Sequence, residues 1–309
     1  MDVHTVGDVK SDALSSLIEM DAFKALFPLR FYERHLAESI RPDGRQLEEA
    51  RLTTIALGAV DTADGSALIK IGYTTMLAAI KMEIMKPVSE TPDEGRIAVQ
   101  FHMAPICSPL VRPGRPAEVA PVISKQLFDV IHNSSMINLK DLCVSSGKAA
   151  WMVYLDIYCL DADGSLFDAA LLAAVSAFLH LQIPVVSLQD DGKVILLPEK
   201  TDMDKKLSVA RQKRKLCINN IPFSLSSILH NGYILADPNA EEESIMETLV
   251  TIVLDQAKNL VSLYKPGGPV LASQSALQDC ITLTSKRMKE LQKLLDEALC
   301  EMDVDQSTD

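Results

Sequence analysis

Residues 151–181 constrain this chain more than any other stretch. Trp151, Val153, Leu155, Ile157 and Cys159 alternate with Met152, Tyr154, Asp156 and Tyr158. That period of two predicts a strand with one buried face and one wetter face. Residues 161–164 supply a turn, and an apolar run follows over 166–181, interrupted by Asp168, Ser176 and His180. The run falls short of the ~20 residues that a membrane span needs, so it predicts a buried helix. A strand leading directly into such a helix implies a sheet with helices packed on it.

The rest of the first half reads the same way. Residues 53–60 and 67–72 flank the turn residues 61–65 and predict a hairpin. Residues 74–85 and 97–103 are further extended runs. Residues 87–95 and 105–116 are proline-containing loops, the second carrying Arg112 and Arg115. Val119, Val122, Ile123, Leu127, Val130 and Ile131 sit at helical spacing within 118–133. An earlier helix is predicted over 28–39, with Pro28 at a position where its missing N–H does no harm. It follows an appendage, 1–27, in which Leu14, Leu17 and Ile18 form a short stripe. A strand at 185–188 closes the first half, 28–190. A polar connection, 191–214, holds a short strand near 193–197 and the basic residues Lys205, Lys206 and Arg211. The second half, 215–302, shows strands at 216–218, 223–228, 233–236, 249–254 and 260–263. Pro266-Gly267-Gly268-Pro269 breaks the chain, and a helix is predicted over 273–302 on the stripe Leu277, Ile281, Met288, Leu291, Leu294, Leu295 and Leu299. The polar tail, 303–309, is expected to be disordered. The fold class is α+β with two similarly built β/α halves.

Composition removes several classes of function. A chain of 309 residues buries enough apolar surface to fold without a disulfide or a metal. Its six cysteines lie outside ligand spacing, which argues against zinc ribbons and paired redox motifs and predicts buried free thiols. The first residues lack an apolar core, so no secretory signal and a reducing compartment are expected. Lys and Arg number 30 against 42 Asp and Glu, a formal net charge of -12. Phosphate binding needs clustered cations, so RNA contact is confined to a local basic patch. Aromatic residues, at 5%, are too scarce for a surface that reads single strands by stacking. The six histidines are dispersed with no triad order, and prolines flank Gly267 and Gly268 where a phosphate loop needs amides. Neither a cofactor, a metal nor a membrane partner is expected.

A resemblance sharpens this picture. Arg41-Pro42-Asp43-Gly44-Arg45 is followed by the hairpin Asp64-Gly65-Ser66-Ala67-Leu68-Ile69-Lys70-Ile71-Gly72 and by Thr74-Thr75-Met76-Leu77. Later come Ala236-Asp237-Pro238, Glu241-Glu242-Glu243 and Lys265-Pro266-Gly267-Gly268. In this order and spacing the chain resembles the RNase PH family over residues 31–302. Asp141-Leu142-Cys143, with Gly147-Lys148 and Trp151, is similar to a eukaryotic RNA exosome core ring subunit, on the branch related to the non-catalytic ring subunit of archaeal exosomes. The resemblance implies an RNase PH-like fold whose first half is like the second domain of ribosomal protein S5. It implies other RNase PH-like subunits as partners in a hexameric ring, S1/KH-type cap subunits, RNA and an associated hydrolytic nuclease. Roles in rRNA processing, mRNA decay and RNA degradation, in nucleus, nucleolus and cytoplasm, go with it.

The same resemblance marks what is missing. Phosphorolysis needs cations for phosphate and carboxylates for a metal or a proton. Catalytic relatives place an arginine after a Gly-Ser or Gly-Thr pair at the start of the apolar helix. Here Gly164-Ser165 is followed by Leu166. The acidic pair of catalytic relatives falls on Glu243 and Leu249, and Glu243 alone reads equally well as a solvated surface acid. Each loss costs on the order of a hundredfold in rate. Arg112, Arg115 and Lys125 are the RNA-contact candidates. For the two arginines a solvated loop with local salt bridges is the plain alternative, and Lys125 is the one cation left on a helix where relatives carry several. The basic run 211–215 reads as an import signal, an RNA contact or a solvated face. The sequence therefore points to a non-catalytic ring subunit that guides RNA through the central pore. Its rivals are a phosphate-dependent 3'-5' exoribonuclease, alone or through a composite site, against which Leu166 counts, and a free RNA-binding module, against which the net charge counts.

Overall fold

The computed structural model describes residues 20–305, apart from 110, 116, 185, 189–193, 197–212, 247 and 270. Its spine is a pair of long strands, β3 (Thr74–Met85) and β6 (Ala149–Asp161), antiparallel from Thr75 opposite Asp161 to Met85 opposite Ala150. β2 (Gly65–Ile71) and β1 (Thr53–Leu57) extend the sheet on one side as the expected hairpin. β4 (Arg96–Met103) joins the other side parallel to β6, so the sheet is mixed, in the order β1-β2-β3-β6-β4. β5 (Cys143–Ser145) is a short addition to β6.

The alternation in β6 does what its period requires. Trp151, Val153, Leu155, Ile157 and Cys159 are buried, whereas Tyr158 is exposed. Two helices cover the buried face, α2 (Val119–Asn133) and α3 (Leu166–His180). Every residue from Phe167 to Phe178 is buried, Asp168 and Ser176 included. A helix apolar all round must be covered all round. α3 achieves this by packing on β2 and β3 of the first half and on β11 (Phe223–His230) of the second.

The second half is a four-stranded antiparallel sheet, β12-β11-β13-β14, with β12 at Tyr233–Ala236, β13 at Leu249–Leu254 and β14 at Leu260–Tyr264. α5 (Gln274–Asp305) crosses it and reaches β1. Cys280, Leu283, Met288, Leu291 and Leu295 are buried there, so the apolar stripe of this helix is used within the chain.

Several local expectations change. The strand expected at 216–218 forms three residues earlier, as β10 (Lys213–Lys215), because β7 (Gln182–Pro184) offers it an edge; Ile218 makes a single bridge to Ile137. The strands expected at 185–188 and 193–197 form as β8 (Val186–Leu188) and β9 (Val194–Leu196), but they pair with each other as a separate hairpin instead of closing the first sheet. Residues 241–243 belong to a short helix, α4 (Ala240–Ile245), started by a capping box between Asn239 and Glu242. α5 continues past Met302 to Asp305, so residues 303–305 are helical rather than part of a disordered tail. Residues 20–26 are helical and lead into α1 (Pro28–Ala37), whose Phe31, Tyr32 and Leu36 pack on Ile228, Leu235 and Met246. Leu14, Leu17, Ile18, Lys205, Lys206 and Arg211 lie outside the described residues. Cys107, Cys159 and Cys280 are buried as expected, but Cys217 and Cys300 are exposed. Among the described residues no helix is long and apolar enough to cross a membrane.

Candidate functional site

The site grows out of the seam between the halves. Arg41, 1% exposed, donates to the carbonyls of Leu47, at 2.6 Å, and Ala236. Arg45 donates to the Asp237 carbonyl at 3.1 Å. Arg51, just before β1, grips the Asp237 carboxylate with two side-chain bonds, Nη2 to Oδ1 at 2.7 Å and Nε to Oδ2 at 3.0 Å. Its backbone N–H adds a third at 2.7 Å. Burial works to raise the Asp237 carboxyl, and Arg51 overcomes it, holding the group below the ordinary carboxylate range. The Arg-Pro-Asp-Gly-Arg turn is thus a latch onto residues 236–242 rather than a patch of free cations.

The seam ends at the turn before α3. Gly164 adopts φ +73°, and a Cβ there would lie 2.5 Å from both Asn239 C and Pro238 O. Ser165 follows in the left-handed region, with its hydroxyl donating to Pro238 O at 3.0 Å and its N–H to Glu243 Oε1 at 2.8 Å. Glu243 is therefore half-buried and partnered, not a solvated surface acid. Burial, reinforced by the nearby Asp168 carboxylate, pushes it up to about 7. Asp168, on the first turn of α3, is pushed up to about 6 by its own burial, although its Oδ2 accepts from Ser226 N at 2.6 Å.

Outside this turn opens a cleft of about 630 Å³. It brings together Arg112, Arg115, Leu166 and Glu243, and Glu118 and Val119 also line it. Both arginines are exposed. Arg115 pairs with Glu118 at 2.6 Å, and among the described residues Arg112 has no ion pair. Lys125 is not part of the cleft lining. It bonds Asp129 one turn along α2 at 2.6 Å and lies over the Phe128 ring. Leu249 is absent from the cleft as well. It pairs with Ile228 and packs into the Phe31, Tyr32 and Leu36 cluster. Arg214 of the basic run donates to the Asp141 carbonyl at 2.5 Å from within β10.

Chemically, the cleft offers an anion the Arg112 guanidinium and, in competition with Glu118, that of Arg115, beside the apolar Leu166 and the carboxyl group of Glu243. Among the described residues no three Asp, Glu, His or Cys side chains converge as a metal site would require. With one Glu243 oxygen bonded to the Ser165 amide and Leu249 elsewhere, the residues present do not fit a metal. Sequence reasoning missed Arg51, and it gave no role to Asp168 or to the Ser165 contacts with Pro238 and Glu243. Arg51 and Asp168 meet partners 186 and 58 residues away, and no local pattern announces such a distance.

Comparison with known proteins agrees with this architecture. Residues 49–184 match domain 1 of the 3' exoribonuclease family, RNase PH, and residues 220–287 match its domain 2. The chain is 33% identical to the exosome complex component rrp43 of Schizosaccharomyces pombe over 85% of this chain and 92% of that protein. It is 33% identical to the exosome complex component Rrp42 of Methanopyrus kandleri over 82% of this chain and 90% of that protein. A solved structure of the Archaeoglobus fulgidus exosome with RNA bound to the active site superposes with a TM-score of 0.74 at 28% identity, covering 89% of this chain and 98% of that one. The chain therefore belongs to the RNase PH family of 3' exoribonucleases, and its relatives along most of its length are exosome complex components.

Proposed function

We propose that this chain is a non-catalytic ring subunit of an RNA exosome, placed among other RNase PH-like subunits in a six-membered ring beneath S1/KH-type caps. It guides RNA through the central pore towards a separate hydrolytic nuclease, in nucleus, nucleolus and cytoplasm. Arg112 and Arg115 hold the phosphates of the passing strand. The observation that carries the reading is Leu166: it stands on the wall of the arginine cleft, at the start of α3, and offers neither charge nor donor. Phosphorolysis needs electrostatic stabilisation at that point. The net charge of -12 supports a subunit that docks on basic partner surfaces rather than a free RNA binder.

The test is phosphate-dependent release of nucleoside diphosphates from oligo(A), measured on the chain alone and on the chain co-expressed with its ring partners. Neither preparation is expected to release them through this subunit. Release that vanishes when Arg112 and Arg115 are replaced in this chain overturns the reading in favour of an exoribonuclease. A co-expressed chain that stays monomeric overturns the ring assignment.

A further inference from the structure

We infer that the outer edge of β4, between Gly95 and Phe101, docks an extended acidic and apolar segment of a partner protein. The segment adds a strand to the sheet, sets an apolar side chain in the cavity beside the edge and places a carboxylate on Arg96. β4 is the last strand of its sheet, so one of its edges has no neighbouring strand. N–H groups along a strand point alternately to its two sides. The Gly95 N–H, just before the strand, points outward to the Leu139 carbonyl at 2.9 Å, and the Phe101 N–H points outward to Ser124 Oγ at 2.9 Å. Ile97 and Val99 share that phase. Among the described residues neither N–H has a partner on the outer side. The edge is thus closed at both ends by the chain's own groups and open at the two residues between. An open edge is a template for another chain.

Beside this edge lies a cavity of about 480 Å³ that shares no lining residue with the arginine cleft. Ile97, opposite the buried Val153, and Ile131 of α2 line it from the helix-covered face of the sheet. Met152, which alternates with the buried Trp151 and Val153, lines it from the other face. The cavity therefore reaches round the start of β4. Arg96 and His132 supply its basic side chains, and both are exposed. Among the described residues Arg96 has no ion pair, and Asp93 nearby is taken by Lys140 at 3.7 Å. An unpaired guanidinium next to an apolar cavity, on a chain of net charge -12, is complementary to an acidic and apolar ligand. RNA offers the charge but no aliphatic side chain for the cavity, so a protein segment fits. Strand addition uses both parts: main-chain bonds supply affinity, and the pocket beside the edge supplies specificity.

The probe is a labelled octapeptide of alternating valine and threonine with one glutamate, titrated against the full chain by fluorescence anisotropy. Two copies, N-methylated on alternate residues in one phase or the other, are expected to differ about tenfold or more in affinity, because only one phase bonds to β4. Arg96→Glu is expected to weaken the parent peptide about tenfold, and a peptide with lysine for glutamate to regain the loss. Val99→Pro removes one outward N–H where an edge strand tolerates proline, and is expected to keep the fold and lose about as much affinity as Arg96→Glu. Should that variant fail to fold, the methylated copies decide on the wild-type chain. Equal affinity of the two copies, or of wild type and Arg96→Glu for the parent, overturns the inference. So does a parent peptide that stays free at millimolar chain, or displacement of it by oligo(A) that requires Arg96, which would make the surface an RNA contact. None of these readouts depends on whether the chain is catalytic.

Discussion

Arg51 and Asp237, 186 positions apart, form a buried two-pronged ion pair with oxygens at 2.7 and 3.0 Å. Arg51 also reaches Asp163, in the turn before α3, at 3.4 Å. One guanidinium therefore ties the start of β1, the β6–α3 turn and the end of β12 into one unit. Removing one partner of a buried pair leaves the other charge uncompensated, which costs about 3–5 kcal/mol. Arg51→Ala is expected to lower the urea midpoint accordingly. Arg51→Lys recovers only part of the loss, because an ammonium cannot reproduce the fork. Equal midpoints for Arg51→Ala and wild type would contradict the pairing.

Gly164 is required twice over, by its positive φ and by the backbone of residues 238–240 at 2.5 Å. Left-handed backbone strain costs on the order of 1–3 kcal/mol, and the clash adds to it. Gly164→Ala should melt several degrees below wild type in a thermal scan. Gly147→Ala makes a useful contrast: it shares a positive φ of +72° but meets nothing within 4 Å, so its loss is the smaller of the two.

Asp168 sits at about 6 in the fold, above its ordinary 3.8. The folded chain then holds a proton that the unfolded chain releases, so stability from this group is present below the ordinary carboxylate range and is lost as pH rises through 6. Glu243, at about 7, acts in the same direction. Asp237, held low by Arg51, acts oppositely, and its contribution is lost only on stronger acidification. Asp168→Asn is expected to remove on the order of 3 kcal/mol of the decline between acid and neutral pH. Chemical denaturation at stepped pH measures it, and an unchanged slope counts against a buried, proton-holding Asp168.

Replacing Arg112 and Arg115 together by Ala is expected to leave stability within about 0.5 kcal/mol, as for other exposed loop positions. RNA binding by the assembled complex should weaken. The salt slope should fall by about 0.7 for each single-strand phosphate that is no longer neutralised. Lys125→Ala should change neither, since Lys125 is paired with Asp129 and stands outside the cleft. A salt slope that responds to Lys125 and not to the arginines would move the RNA path onto the outer face of α2.

Most elements of the fold could be read from local periodicity. The hairpin of β1 and β2, the long β3 and β6, α2 and the apolar α3 all lie within a few residues of where their patterns predict them. The failures are informative. β10 took the register its partner β7 allowed, three residues ahead of the expected 216–218. α4 went unread because six residues carry too little period. The stripe on α5 was legible, but not its target, the chain's own second sheet and β1.

Within the site, the sequence by itself determined that a leucine follows Gly164-Ser165, that two arginines lie in the loop before α2, and that an acid stands at 243. Only the tertiary structure decided that Arg112, Arg115, Leu166 and Glu243 share one cleft, that Lys125 and Leu249 do not, and that Glu243 is bonded to Ser165. Periodicity reports which side of an element faces the core, because neighbours in sequence set it. Which charge meets which amide across 78 or 186 residues depends on how the two halves close on α3, and that is fixed by packing, after the elements have formed.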